Sequence, residues 1–325
     1  MHYSADVLIV GSGVAGLSAA IYASRYELKT IVVGKMFGGA TLTAWTIENY
    51  PGVKKIDGYD LVTIMKDQAT ALGAVIIDDE ITTITQHEHC IYASSPRDTF
   101  EGHALILASG STHRHLGLPN EPELAGKGVH YCVMCDAPLY KGKTIAIVGG
   151  GDSSVKGAVL AAPLMEHVYL ITIEPSLHGE PINVDAMKKH HNITVIPNSE
   201  ITALQGHDKL SGIMLKDHSG HISEKTVDAV FVEIGADPST ELAKHMGVEL
   251  DEKGYINVNA MCETNKPGVL AAGDATNLFG SFKQDITAAA QGALAATSAY
   301  KYLSLHDDQY FCRHHAKSTR KSHQR

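Results

Sequence analysis

Basic charge, cysteine and long apolar runs are all scarce in this chain, and each shortage removes a class of function. The 325 residues hold 27 Lys and Arg against 36 Asp and Glu, a formal net charge of −9. No nucleic acid and no membrane is expected as a main partner, because both need a basic surface. Five cysteines in so long a chain, an odd number, cannot form a disulfide scaffold. A reducing, cytoplasmic setting is the expectation. The apolar stretch from Asp6 to Tyr26 lacks a basic lead-in and is broken by three glycines. The stretch from Ile286 to Leu303 is alanine-rich and carries Gln291, Thr297, Ser298 and Lys301. The first does not read as a leader and the second reads as a buried helix. What remains is an ordinary globular composition, 44% hydrophobic and 19% charged, of a length that suits about two domains.

The β-branched run Val7 to Val10 leads into Gly11-Ser12-Gly13-Val14-Ala15-Gly16, a helical stretch from Leu17 to Tyr26 and a second β-rich run, Thr30 to Val33. This is one βαβ unit. A second copy starts at Thr144, with a strand at Ile145 to Val148, the turn Gly149-Gly150-Gly151-Asp152-Ser153-Ser154, a helix over Val155 to Met165 and a strand over Val168 to Ile173. Each turn suits a pyrophosphate: the first glycine permits the turn, the second close approach, the third helix–strand packing. A helix N-terminus adds free amides and partial positive charge. The usual ribose-binding acid is missing after the first unit, which ends Val32-Val33-Gly34-Lys35. Val269 to Asp274 reads as a further strand, followed by the helix from Ile286. The expected fold is α/β, two Rossmann-like, three-layer nucleotide-binding domains with the second inserted into the first. The expected boundaries are 1–112 with 241–305 for the first, 113–240 for the second, and a flexible tail over 306–325. From Arg313 onward the tail has five basic residues and no acid.

Cys132-Val133-Met134-Cys135 precedes Asp136. Two cysteines three apart can close a disulfide across the first turn of a helix, and a helix N-terminus favours the thiolate that performs exchange. The adjacent acid can trade protons with a leaving thiolate. Redox chemistry is favoured over a zinc half-site or a structural pair. Zinc needs more ligands at matching spacing, and there is no second CxxC. No metal site is expected.

The N-terminal glycine turn, Glu48-Asn49-Tyr50-Pro51-Gly52, the CxxC-Asp, the second glycine turn just after it and Gly273-Asp274-Ala275 occur together in that order. From about Ala5 to Leu303 the chain resembles low-molecular-weight thioredoxin reductases. The resemblance implies a homodimeric enzyme with FAD in the first domain, a redox dithiol in the second and a thioredoxin-like protein as partner. It assigns Gly11, Ser12, Gly13, Ala15 and Gly16 to the FAD pyrophosphate. Gly38, Gly39 and Asn49 fall beside the flavin, Gly273 and Asp274 at the ribityl and pyrophosphate, and Gln284, Asp285 and Ile286 at the isoalloxazine edge. Gly34, Thr43 and Gly110 complete the FAD set. Asp285, Lys283 and Ala40 depart from the residues usual there and change the polarity of the flavin edge. By the same resemblance Cys135 faces the flavin, Cys132 attacks the protein disulfide and Asp136 is the acid. Ala137 stands where glycine is common.

The second turn keeps Gly149, Gly151, Asp152 and Ser153, a seat for a nicotinamide nucleotide. NADPH-dependent members of the family follow it with arginines that grip the 2′-phosphate. Here the matching stretch is Thr172 to His178, with Glu174 among the changed positions. NADPH is therefore disfavoured. Glu174 can accept from ribose hydroxyls, which suits NADH. Alternatively the pocket is a relic, an option Ser154 supports, and electrons come from ferredoxin or a deazaflavin. Two rival functions remain, a flavin-dependent dithiol oxidase and a non-catalytic redox sensor. Cys90 and Cys262 read as buried inert thiols. Trp45, Tyr310 and Phe311 are weaker candidates for flavin contacts. The histidine pairs 87/89, 113/115, 190/191 and 314/315 read as solvated surface.

Overall fold

Short β-branched runs become the strands of two parallel sheets in the computed structural model, which describes residues 1–44, 46–280 and 282–306. In chain order, the elements that position the site are β1 (Val7–Val10), α1 (Val14–Arg25), β2 (Thr30–Gly34), α2 (Gly58–Ala71), β3 (Val75–Asp78), β4 (Ala104–Leu107), β5 (Val129–His130), the single turn α3 (Val133–Asp136), β6 (Thr144–Val148), α4 (Asp152–Ala161), β7 (His167–Ile171), β8 (Ile193–Ile196), β9 (Ala229–Val232), β10 (Val269–Ala271) and α5 (Asp285–Leu305). The chain divides into one unit of Met1–Ser111 with everything from Pro238 onward, and a second of Thr112–Asp237.

The first unit's sheet has the order β10-β4-β1-β2-β3, all parallel, with Leu8 opposite both Leu105 and Ile31. Alternate side chains go to opposite faces. Val7, Ile9, Ala104 and Ile106 pack with Leu17, Ala20, Val62, Ala295 and Ala299 on the helical side. Leu8, Val10, Leu105 and Leu107 pack with Ile84, Ile91 and Phe100 on the other. Those last residues belong to a second sheet of His2–Ser4, Thr99–Gly102, Cys90–Ser94 and Thr83–His87, in that order. Burial on both faces explains why these strands are unbroken apolar runs.

The second unit repeats the scheme with the order β5-β9-β6-β7-β8. Ile145, Ile147, Leu170 and Phe231 meet Val155, Ala158 and Ala161 on the helical face. Ala146, Val148, Val230 and Val232 meet Ile201, Leu204, Ile213 and Leu215 of a three-stranded antiparallel sheet. Both units are therefore three-layered. The two chain crossings, Ser111–His113 and Ala236–Pro238, pair with each other.

The observed boundaries correct several expectations, among them the strand from Val269, which ends at Ala271 rather than Asp274. Helix α1 starts at Val14 rather than Leu17, and α4 spans 152–161 rather than 155–165, because Gly13 and Gly151 are themselves the N-caps. The proline at position 163 then ends α4 early. Strand β7 stops at Ile171, and α5 begins at Asp285 rather than Ile286. Among the described residues no helix is long and apolar enough to cross a membrane.

Helix α5 lies against α1 at backbone range. Ser18 Oγ donates to the Ala289 carbonyl at 2.7 Å, and a Cβ on Gly292 would stand 2.1 Å from the Ala15 carbonyl oxygen. On a free helix, replacing Gly by Ala stabilises by about 1 kcal/mol. Here Gly292→Ala is expected to destabilise by about 1–3 kcal/mol through overpacking, read as a lower urea midpoint. A rise in the midpoint would contradict the close helix contact.

Candidate active site

Strand β1 sits between β2 and β4, where strand order reverses, and a cradle for a dinucleotide opens at its carboxyl end. Gly11 has φ +113°, and a Cβ on it would lie 2.0 Å from the Ala108 carbonyl oxygen. A Cβ on Gly16 would lie 1.9 Å from the Gly11 carbonyl oxygen. No side chain fits at either place. Gly13 caps α1 without any side-chain hydrogen bond, so the first amides of the helix remain available to an anion. Gly38 donates its amide to Ser12 O at 2.9 Å, which lays the Gly38-Gly39 turn against Gly13. Ser12 Oγ, bonded to Met36 O at 3.1 Å, occupies the space that a side chain on Gly34 would need.

Distant segments close the same cradle. Gly273, at φ +82°, packs against Ala15, and its amide donates to Gln291 Oε1 at 2.8 Å. Asn49 Nδ2 donates to Gln284 Oε1 at 3.0 Å, and Thr41 Oγ1 to Asp285 Oδ1 at 2.6 Å. Gly110 is at φ +67° with open space beside it, Thr43 Oγ1 bonds Ala40 O at 3.0 Å, and Ile286 is exposed. Burial raises the Asp285 carboxyl above its usual range, against the Thr41 hydrogen bond. Burial raises Asp274 as well; Lys283 opposes that shift and Asp285 adds to it. Lys283 is lowered by burial, against the pull of Asp274 and Asp251. Its Nζ donates to Thr276 O at 2.6 Å and stands 4.5 Å from the Tyr255 ring centre. Backbone walls and an uncapped helix end fit the pyrophosphate of FAD, and Lys283 stands near Asp274. Sequence reasoning missed Thr41 and Gln291; the signal for Gln291 was an amide inside an alanine-rich face.

The second unit's turn copies the first. Gly149 has φ +144°, and a Cβ on it would stand 2.2 Å from the Glu233 carbonyl oxygen. Ser154, where alanine is usual, is fully buried, and its Oγ donates to Gly151 O at 2.7 Å. It is therefore accommodated rather than disruptive. Asp152 is engaged by the Glu180 amide at 2.8 Å, Asn183 Nδ2 at 2.9 Å and Lys156 Nζ at 2.7 Å. These bonds hold its carboxyl below the usual range despite burial, the largest influence, which raises it. Ser153 and Glu174 are exposed. The Glu174 amide donates to Thr172 Oγ1 at 3.1 Å and the His178 amide to Gly150 O at 2.7 Å.

Cys132 and Cys135 are joined in a disulfide with Cα atoms 5.4 Å apart. Cys132 is the N-cap of α3, and its Sγ accepts the Cys135 amide at 3.1 Å. Cys135 is exposed and Cys132 half-buried. Asp136 Oδ2 lies 3.0 Å from His130 Nδ1, and His130 Nε2 lies 2.9 Å from the Tyr140 hydroxyl. His130 and Tyr140 were not foreseen as partners of Asp136, because His130 reaches it from the strand before the motif and Tyr140 joins only through His130. Glu233, after β9, accepts the Val133 amide at the start of α3, and burial pushes its carboxyl up to about 7. Among the described residues no group of three or more His, Cys, Asp or Glu could hold a metal.

Cys262 is buried with a free thiol, which burial pushes up to about 12. Cys90 corrects its expectation: it is half-buried at the start of an internal strand of the four-stranded sheet and disulfide-bonded, not an inert thiol. Trp45, Tyr310, Phe311, Cys312, His314, His315 and the basic tail lie outside the described residues.

Comparison with known proteins agrees with this geometry. The pyridine nucleotide-disulphide oxidoreductase family matches residues 5–295. The thioredoxin reductase of Treponema pallidum (strain Nichols) is 38% identical over 306 residues, 93% of this chain and 98% of that protein. The crystal structure of Lactococcus lactis thioredoxin reductase superposes with a TM-score of 0.89 at 32% identity, covering 93% of this chain and 99% of the other. The ferredoxin-flavin thioredoxin reductase of Clostridium acetobutylicum matches at a TM-score of 0.51 and 30% identity, covering 94% and 100%.

Glu233 has a pH signature. Between about 4.5 and 7 its folded carboxyl keeps a proton that the unfolded chain has lost. Stability therefore falls as pH rises through that window, by about 1–3 kcal/mol. Glu233→Gln keeps an acceptor for the Val133 amide and cannot ionise. The variant is expected to match the parent near pH 4.5 and to exceed its urea midpoint at pH 8. A difference that does not change with pH would overturn the assignment.

Proposed function

The chain belongs to the pyridine nucleotide-disulphide oxidoreductase family, among the thioredoxin reductases, and from that premise we propose that it reduces the disulfide of a thioredoxin-like protein through Cys132 and Cys135. The observation that carries this reading is a disulfide at the N-cap of a helical turn with an acid directly after it. Gly11 to Gly16, Gly38, Gly39, Asn49, Gly273, Asp274 and Gln284 to Ile286 would hold FAD, which supplies two-electron chemistry between donor and disulfide. Once the pair is reduced, the Cys135 amide and the α3 N-terminus stabilise negative charge on Cys132 Sγ. Cys132 attacks the partner disulfide, Asp136 protonates the departing thiolate, and Cys135 then resolves the mixed disulfide. Pro138 and Leu139 beside the pair are exposed, Leu139 at 75%. An exposed apolar pair of this kind suits a polypeptide substrate. One pose cannot serve both electron entry and docking of a protein, so the second unit is proposed to rotate about the paired crossings.

NADH is the first reading for the donor. Glu174 follows the strand beside the second turn, where a 2′-phosphate would meet a carboxylate, and Lys156 is already paired with Asp152. A second reading, a protein donor such as ferredoxin, is supported by the segment after Glu174. It is tied onto the turn through the His178 amide on Gly150 and through Glu180 and Asn183 on Asp152. The name of the Clostridium acetobutylicum relative also supports including ferredoxin.

Anaerobic reduction of the bound flavin with NADH, NADPH and reduced ferredoxin in parallel tests the proposal. NADPH is expected to be the slowest; fastest reduction by NADPH would reverse the donor reading, and no reduction by any of them would end the reductase reading. Cys132→Ser is expected to keep donor-driven flavin bleaching and to lose at least about a hundredfold in disulfide reduction.

A further inference from the structure

Asp136, the acid after the disulfide, ends a chain of hydrogen bonds through His130 to Tyr140, two side chains that the exchange chemistry as described does not use. His130 ends β5, pairs with Phe231 of β9, and has only 5% of its side chain exposed. Its ring stacks on Phe231 with centroids 5.4 Å apart and meets Tyr140 edge-on at 5.3 Å. Nδ1 is 3.0 Å from Asp136 Oδ2, and Nε2 is 2.9 Å from the Tyr140 hydroxyl. Asp136 is one-third exposed and Tyr140 half-buried. Burial raises Tyr140, and Asp136 and Asp228 raise it further, so it keeps its proton. The other charged groups nearby are Lys143, 3.8 Å from Asp228, and Glu233 at the start of α3.

A carboxylate can only accept, so with Asp136 ionised Nδ1 carries the ring proton and Nε2 accepts from the Tyr140 hydroxyl. We propose that His130 is a positioning residue that fixes the Asp136 carboxyl and relays protons to it from Tyr140. The inference rests on the reading of Asp136 as the acid in disulfide exchange. Attack by the Cys132 thiolate forms one S–S bond and releases one substrate thiolate. The Nδ1 proton moves to Asp136 as the Tyr140 proton moves to Nε2 and Tyr140 takes a proton from water, leaving hydroxide. The substrate thiolate then takes the proton from Asp136, and exchange with solvent returns the imidazole from its Nε2–H to its Nδ1–H form before the next turnover. One proton enters at the hydroxyl for each that leaves at the carboxyl, and no further electron donor is needed.

The test uses holoenzyme whose dithiol has been reduced chemically, mixed with two disulfides. One is oxidised thioredoxin, whose leaving alkyl thiolate needs a proton. The other is an aromatic disulfide, whose leaving thiolate is stable without one. His130→Asn keeps a donor near the Nδ1 position and carries no relayable proton. It is expected to slow thioredoxin reduction about tenfold and to leave the aromatic disulfide unchanged. Tyr140→Phe should follow the same pattern. In an Asp136→Asn background, His130→Asn should add nothing. Equal slowing with both disulfides, unchanged rates with both, or additive losses in the double variant would each overturn the relay. If Asp136→Asn itself spares thioredoxin reduction, the acid reading fails instead, a result separable from failure of His130 alone. A fold-disrupting His130→Asn would appear as a lowered urea midpoint, and Tyr140→Phe then carries the test.

Discussion

Everything functional in this chain hangs on backbone meeting backbone at the ends of two central strands. Gly11 faces the carbonyl of Ala108, and Gly149 faces that of Glu233, each at a separation where a methyl group has no room. The helix that follows can then start at once, with its first amides aimed outward from the sheet. A side chain at either glycine would push the helix off the strand and take the anion seat with it. The same constraint reappears where α5 crosses α1, so the cradle depends on main chain approaching main chain at each of these places. This is why it is best recognised by which residues are small.

Much of this was legible in the sequence because it depends on local chemistry. A glycine turn between an apolar run and a helix has one economical explanation, and two copies of it imply two sheets. The unbroken strands Val7–Val10 and Thr144–Val148 announced burial on both faces. Helix starts were misread by about three residues because turn glycines, poor helix formers, act here as caps. The partners of the chemistry were harder to read. Nothing local tells that Thr41 reaches Asp285, or that His130 turns back toward Asp136, since those contacts are set by tertiary packing. Cys90 was misread for the same reason: strand position alone does not reveal a covalent partner.

The electrostatics divide along the same lines. In the first unit, burial raises Asp274 and Asp285 and lowers Lys283, while Lys283 draws Asp274 back down and Asp285 pushes it further up. In the second unit, acids crowd the glycine turn while its one nearby lysine is engaged. Both departures fall on the proposed route of electron entry. The dithiol with its following acid keeps the form that the chemistry requires.

The inserted topology also fixes an order of events at the ribosome. The second unit is a single stretch of chain and can complete its sheet as soon as β9 has emerged. The first must wait for β10 to take the edge beside β4 and for α5 to cover the helical face. Until then its strands expose apolar surface, so the nascent protein carries a finished module on an unfinished base. Truncation near the end of α5 therefore threatens solubility of the flavin-holding half first, while the cysteine-bearing half remains a self-contained passenger.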